Sequence, residues 1–185
     1  MVQKPVPWRR RGGYRRRALL ALAVSLAAGL VEAGPEKVAF PRDYQSLFIF
    51  DTANNAAAKT IRIMYVNPQT FKFRQPGKPL PDGTLLVAEE RPAKLDANGT
   101  PLTDRKGRFV PTPQVLSVWV QEKRAGWGSE YPPDQRTGEW EFAEFLPDGS
   151  RKADAKLAEC RACHRKQAAQ DYTFRFYKFM QELRD

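Results

Sequence analysis

An α+β fold is predicted, mainly an antiparallel β-sheet with flanking helices and a helix near the C-terminus that carries the chain's cysteines and histidine. Three observations predict it. Short apolar segments alternate with period two, Pro-Asp-Gly sequences punctuate them, and helix-forming residues take over after Ser150.

The elements follow in order. Leu47 to Phe50 is a first candidate strand. Ile61, Ile63 and Tyr65 alternate with Arg62, Met64 and Val66, which places two sets of side chains on opposite faces of a second. Leu80-Pro81-Asp82-Gly83-Thr84 then reads as a turn, because Pro presets one dihedral and Gly accepts a positive one. Leu85 to Ala88 follows as a strand. Residues 92–113 hold Asn98-Gly99 and four prolines, the marks of a long hairpin excursion. Leu116, Val118 and Val120 alternate with Ser117, Trp119 and Gln121, and residues 122–138 return to loop character. Gly138 to Leu146 is a strand in which Trp140 and Phe142 share parity, and Leu146-Pro147-Asp148-Gly149-Ser150 turns out of it. Ala153 to Gln170 is rich in Ala, Lys, Arg and Gln, good helix formers. Finally Phe176, Phe179, Met180 and Leu183 recur at helical spacing, a stripe that packs into a core.

The 185 residues are 42% hydrophobic and 28% charged, a globular composition. The formal net charge of +10 resembles a nucleic-acid signal until it is located. Lys4, Arg9, Arg10, Arg11, Arg15, Arg16 and Arg17 lie in the first 33 residues beside one acid, Glu32. Without them 24 basic residues face 20 acidic ones, a net of +4, so no nucleic-acid partner is expected.

The same segment reads as an address. A basic stretch precedes Ala18–Val31, 14 residues in which only Ser25 and Gly29 are not strongly apolar, and Val31-Glu32-Ala33 suits cleavage. The run falls short of the roughly 20 apolar residues of a membrane span. Residues 1–33 are therefore expected to be a secretory signal peptide, with a faint twin-arginine cue in Arg16-Arg17, and 34–185 a single domain working in a bacterial periplasm, without a stable membrane span.

The chain's two cysteines and its one histidine stand together as Cys160-Arg161-Ala162-Cys163-His164. Cys-x-x-Cys-His is the attachment signature of c-type haem: two thiols form thioethers and the adjacent imidazole ligates the iron, making His164 the metal ligand. Two other chemistries share part of the spacing. A thiol–disulfide site uses Cys-x-x-Cys, usually in a βαβ context that is missing here. A zinc site would need carboxylates to complete its ligands. One histidine also limits a haem iron, since its second axial position is left to Met64, Met180, a lysine, a tyrosine or an open site. With only 21 residues after His164, an open site that binds small ligands is the expected arrangement.

The run Phe40-Pro41-Arg42-Asp43-Tyr44, Ile61-Arg62-Ile63-Met64-Tyr65-Val66-Asn67-Pro68, Pro81-Asp82-Gly83-Thr84-Leu85-Leu86-Val87, Trp140-Glu141-Phe142, the Cys160–His164 motif and Asp171-Tyr172-Thr173-Phe174 resembles the cytochrome P-460 family over nearly the whole mature chain. The resemblance implies one covalently attached haem c near C-terminal helices, commonly a homodimer, an external redox partner protein, and small nitrogen-oxide chemistry. Members that give the family its name oxidise hydroxylamine with a haem cross-linked to a lysine. The related cytochromes c prime beta lack the cross-link and bind nitric oxide under phenylalanine caps.

Onto this chain the resemblance carries Lys78 as the cross-linking candidate, with Lys72 nearby, and Phe71 and Phe73 as cap candidates, their neighbours Lys72 and Arg74 alternating away from them. Glu144 shares parity with Trp140 and Phe142, which directs it toward apolar surroundings as a candidate proton acceptor. Arg62 is the candidate for holding a nitrogen-oxide oxygen.

Overall fold

A computed structural model describes residues 37–73 and 78–183, together with Met1. Strands β1 (Phe48–Asn55), β2 (Thr60–Val66), β3 (Leu85–Pro92), β4 (Ser117–Lys123) and β5 (Trp140–Phe145) form one antiparallel sheet in sequential order. Three helices accompany it: α1 (Gln69–Phe73), α2 (Leu157–Arg165) and α3 (Arg175–Glu182). The α+β architecture is the one the periodicity predicts. The excursion between β3 and β4 is held by isolated bridges, Ala93 to Pro111 and Thr103 to Phe109 among them.

Register decides which residues meet. Tyr65 pairs with Val87, Val87 with Val120 and Val120 with Ala143, so these side chains share one face. Val38 and Tyr44, from the segment before β1, pack with them as a buried cluster. On the opposite face Val66 pairs with Leu86, and Gln121 with Phe142. There Leu86, Phe142 and Trp140 join Phe176 and Met180 of α3 in a second cluster. With both faces covered, every residue of β5 is buried. Burying each large apolar side chain contributes about 1.5–3 kcal/mol.

Turn chemistry fixes the joints. Gly149 has φ +86°, and a Cβ there would lie 2.8 Å from the Phe40 ring, so this turn needs glycine for both conformation and space. Arg175 pins the start of α3 to β1, pairing with Asp51 at 2.6 Å and donating to the Thr52 carbonyl at 3.0 Å. Leu183, expected on the apolar stripe, is 50% exposed because α3 ends just before it. The helix-forming stretch from Ala153 to Gln170 is helical only over α2 and a 3-10 turn, Ala168–Gln170.

A carboxylate sits inside the first cluster. The Glu89 side chain is fully buried; Tyr44 Oη donates to it at 2.5 Å and Gln45 Nε2 at 2.7 Å, and Arg91 Nε donates to its other oxygen. Burial works to raise this carboxyl, but the hydrogen bonds from Arg91, Tyr44 and Gln45 outweigh it and hold its pKa below the ordinary 4.5. A depressed folded-state pKa gives stability that is present above about pH 4.5 and lost as pH falls through the folded value. Glu89→Gln should therefore remove part of the acid dependence of unfolding. It should also cost about 1–3 kcal/mol at neutral pH by weakening the hydrogen bonds from Arg91 and Tyr44. Urea titrations of both proteins across pH check this, and identical acid limbs would reject it.

Candidate functional site

Helix α2 carries the cysteine and histidine motif. Spacings of three and four residues bring Cys160, Cys163 and His164 to one side of the helix. All three line a cleft of about 500 Å³ that also borders the second face of the sheet, a size typical of small-molecule sites. Cys160 is half-buried, Cys163 is exposed, and neither is in a disulfide.

His164 is held in a defined state. Its Nδ1 lies 2.7 Å from the Tyr172 carbonyl oxygen, which can only accept, so Nδ1 carries the proton and Nε2 keeps a lone pair. The ring rests between Phe142 and Phe174, with centroids 4.8 and 4.9 Å away. Burial pushes the imidazole pKa below 6.5 against the opposing pull of the Tyr172 carbonyl, favouring the neutral form that ligates metal.

The Tyr172 carbonyl is itself held by backbone strain. Asp171 and Tyr172 both adopt left-handed conformations, φ 47° and 58°, each costing about 1–3 kcal/mol for a residue with a side chain. Four polar contacts sustain them. Asp171 Oδ2 accepts from the Leu80 N–H at 2.7 Å and pairs with Lys123 Nζ at 2.8 Å. Gln121 Nε2 donates to the Tyr172 carbonyl at 3.1 Å, and the Tyr172 N–H reaches Gln167 at 2.9 Å. The Tyr172 ring lies against Gly138, where a Cβ would come within 2.7 Å.

The competing chemistries fit less well. Burial and the nearby Glu144 carboxylate push the Cys160 thiol up, away from the reactive thiolate that a redox Cys-x-x-Cys site needs. Among the described residues no three His, Cys, Asp or Glu side chains gather to hold a metal ion, which removes the zinc arrangement. A haem fits the donors present: two free thiols and an imidazole lone pair on one apolar cleft.

The other sequence candidates divide. Arg62 lines the cleft, with its guanidinium 5.4 Å from the Trp119 ring centroid and 3.4 Å from Glu90. Met64 lines it too, whereas Met180 is buried in the second cluster. Glu144 is buried as its parity required, yet its Oε1 accepts from Lys152 Nζ at 2.9 Å and it does not border the cleft. Lys78 is exposed and outside the cleft lining. The alternation expected at Phe71 and Phe73 is corrected: both lie in α1, a helical turn that follows Asn67-Pro68. Phe71 packs edge-on against Phe48 and Phe176, at 5.4 and 6.3 Å, as part of the core and away from the cleft lining.

Trp119, Phe50, Phe174 and the Tyr172 carbonyl were not singled out from the sequence. Trp119 had a readable signal, since it shares strand parity with Gln121 and Ser117. The Tyr172 carbonyl had none, because two consecutive non-glycine left-handed residues contradict local preference. Gly138→Ala should collide with Tyr172 at a φ of +60°, lowering stability by about 1–3 kcal/mol and releasing the His164 hydrogen bond. Thermal unfolding and imidazole nitrogen NMR of the haem-free protein check both effects.

The expected leader lies outside the described residues. No curated protein matches the chain. The family model for Cytochrome P460 matches residues 41–175, from the segment that packs on the sheet to the first residue of α3. With most of its length matched and the Cys160–His164 motif set on a haem-sized cleft, the chain belongs to the cytochrome P460 family of haem proteins.

Proposed function

We propose that the protein is an exported, periplasmic monohaem c-type cytochrome that binds small nitrogen oxides, nitric oxide and hydroxylamine among them, at an open iron position. The observation that carries this reading is the commitment of His164 Nδ1 to the Tyr172 carbonyl, which leaves Nε2 as a ligand on the cleft shared with both cysteines. Haem supplies an iron centre that takes up small ligands and exchanges single electrons.

The chain's own residues do the rest. Cys160 and Cys163 would hold the macrocycle through thioethers, and His164 would hold the iron. Phe142 and Phe174 keep the imidazole from turning. Arg62 lines the cleft, and its guanidinium would donate to a nitrogen-oxide oxygen.

Binding is favoured over hydroxylamine oxidation by what borders the cleft. Oxidation needs a base to receive protons. Glu144 is already paired with Lys152 and does not line the cleft, and Glu159, which does, has a side chain 74% exposed. Among the described residues no lysine lines the cleft, and Lys78 lies outside it. A homodimer and an external redox partner belong to the same reading through the family resemblance.

Intact mass and a reduced spectrum test it. The wild type should carry one haem that survives denaturation, Cys160→Ala with Cys163→Ala should lose it, and added nitric oxide should change the spectrum. A red-shifted Soret band with Lys78 or Lys72 in the haem peptide would instead establish a cross-linked, hydroxylamine-oxidising member. Haem-free protein after maturation would return the motif to thiol chemistry.

A second reading, non-catalytic electron transfer, is favoured by one contact: Met64 lines the cleft and would fill the second axial position. Under the open-site reading, Met64→Ala leaves the reduced spectrum unchanged. Loss of a methionine-ligated spectrum in that variant would select electron transfer.

A further inference from the structure

Gln121 is a polar residue among apolar neighbours. On β4 it pairs across the sheet with Leu86 and with Phe142, both members of the second cluster, and it is only 9% exposed. A side-chain amide in such surroundings carries a desolvation cost that a hydrogen bond must offset. Its Nε2 donates to the Tyr172 carbonyl oxygen at 3.1 Å, the same oxygen that His164 Nδ1 reaches at 2.7 Å. That oxygen has two lone pairs and accepts both donors, but both draw on one carbonyl dipole, so each weakens the other's bond. The carbonyl has other anchors besides Gln121. Asp171 binds the Leu80 N–H and Lys123 Nζ, and the Tyr172 N–H donates to the Gln167 carbonyl at 2.9 Å.

We propose that Gln121 sets how strongly His164 binds an iron, by sharing the Tyr172 carbonyl with Nδ1 and so limiting the electron density that this carbonyl lends the imidazole. The inference rests on the haem reading, and it makes Gln121 a positioning residue that acts through His164. A hydrogen bond from the non-ligating nitrogen makes an imidazole a more basic ligand. Stronger donation to the iron favours its ferric form, and hydrogen bonding around the axial ligand is one of the levers a protein has on that balance. The Gln121 amide moderates the push from the carbonyl and shifts the balance toward the ferrous form.

The test compares haem-loaded wild type with Gln121→Met, which keeps the length of the side chain and lacks the donor. Gln121→Met should shift the reduction equilibrium about threefold toward the ferric form, the scale of a change in one neutral hydrogen bond. It should also raise the iron–histidine stretch of the ferrous protein. If Gln121 only props the carbonyl in place, its loss loosens the His164 bond and both readouts move the opposite way. That result, or no movement in either, overturns the inference alone. A measurement on wild type is independent of whether the variant folds. In isotope-labelled protein, scalar coupling to the Tyr172 carbonyl carbon appears at Gln121 Nε2 as well as at His164 Nδ1, and its absence at Gln121 also overturns the inference alone. A wild type that takes up no haem overturns the haem reading and this inference with it.

Discussion

The Tyr172 carbonyl oxygen is the point on which the site turns. It accepts from His164 on α2 and from Gln121 on β4, so one atom ties the motif helix to the sheet. Its position depends on two left-handed residues that the chain would not adopt alone. Asp171 overcomes that preference by binding Leu80 and Lys123, groups 91 and 48 residues away in sequence. A local backbone conformation at the site is thus stabilised by tertiary contacts to the sheet and to the loop before β3.

The sheet makes those contacts possible by being buried on both faces for different ends. One face encloses the Glu89 cluster and is closed by the segment around Tyr44. The other supports α3 through Phe176 and Met180 and leaves the cleft beside α2. Polar groups are buried in both places, but with opposite degrees of completion. Glu89 receives four side-chain donors, whereas Trp119 Nε1 has no acceptor. A saturated network rigidifies, whereas a buried donor without an acceptor bears its desolvation cost unrelieved.

Much of this was legible in the residues. Period-two alternation between turn residues located four of the strands, and the apolar run Leu47 to Phe50 marked the start of the other. The Cys160–His164 spacing picked out three residues that the structure brings to one side of α2, since i, i+3 and i+4 positions share a helix side. The alternation expected around Phe71 and Phe73 does not form, because the preceding Asn67-Pro68 starts a helical turn closed by Thr70 and Phe71 N–H groups. Glu144 was rightly expected to be buried, but its partner Lys152 lies across the Asp148-Gly149 turn, and pairing across a turn leaves no periodic trace. The scaffold was thus written in patterns, and the tuning of the site in contacts distant along the chain.

The sequential strand order has a consequence in time. Each strand pairs with the one made just before it, so the sheet is able to assemble as the chain emerges, hairpin upon hairpin. Leu157, the first residue of the motif helix, is made after the last strand ends at Phe145. One wall of the cleft thus has all its residues in place before the residues that would grip the macrocycle exist. Attaching a haem would then be closer to hanging a door in a finished frame than to folding a chain around its prosthetic group, and slow delivery of that group would leave the sheet free to complete its own assembly.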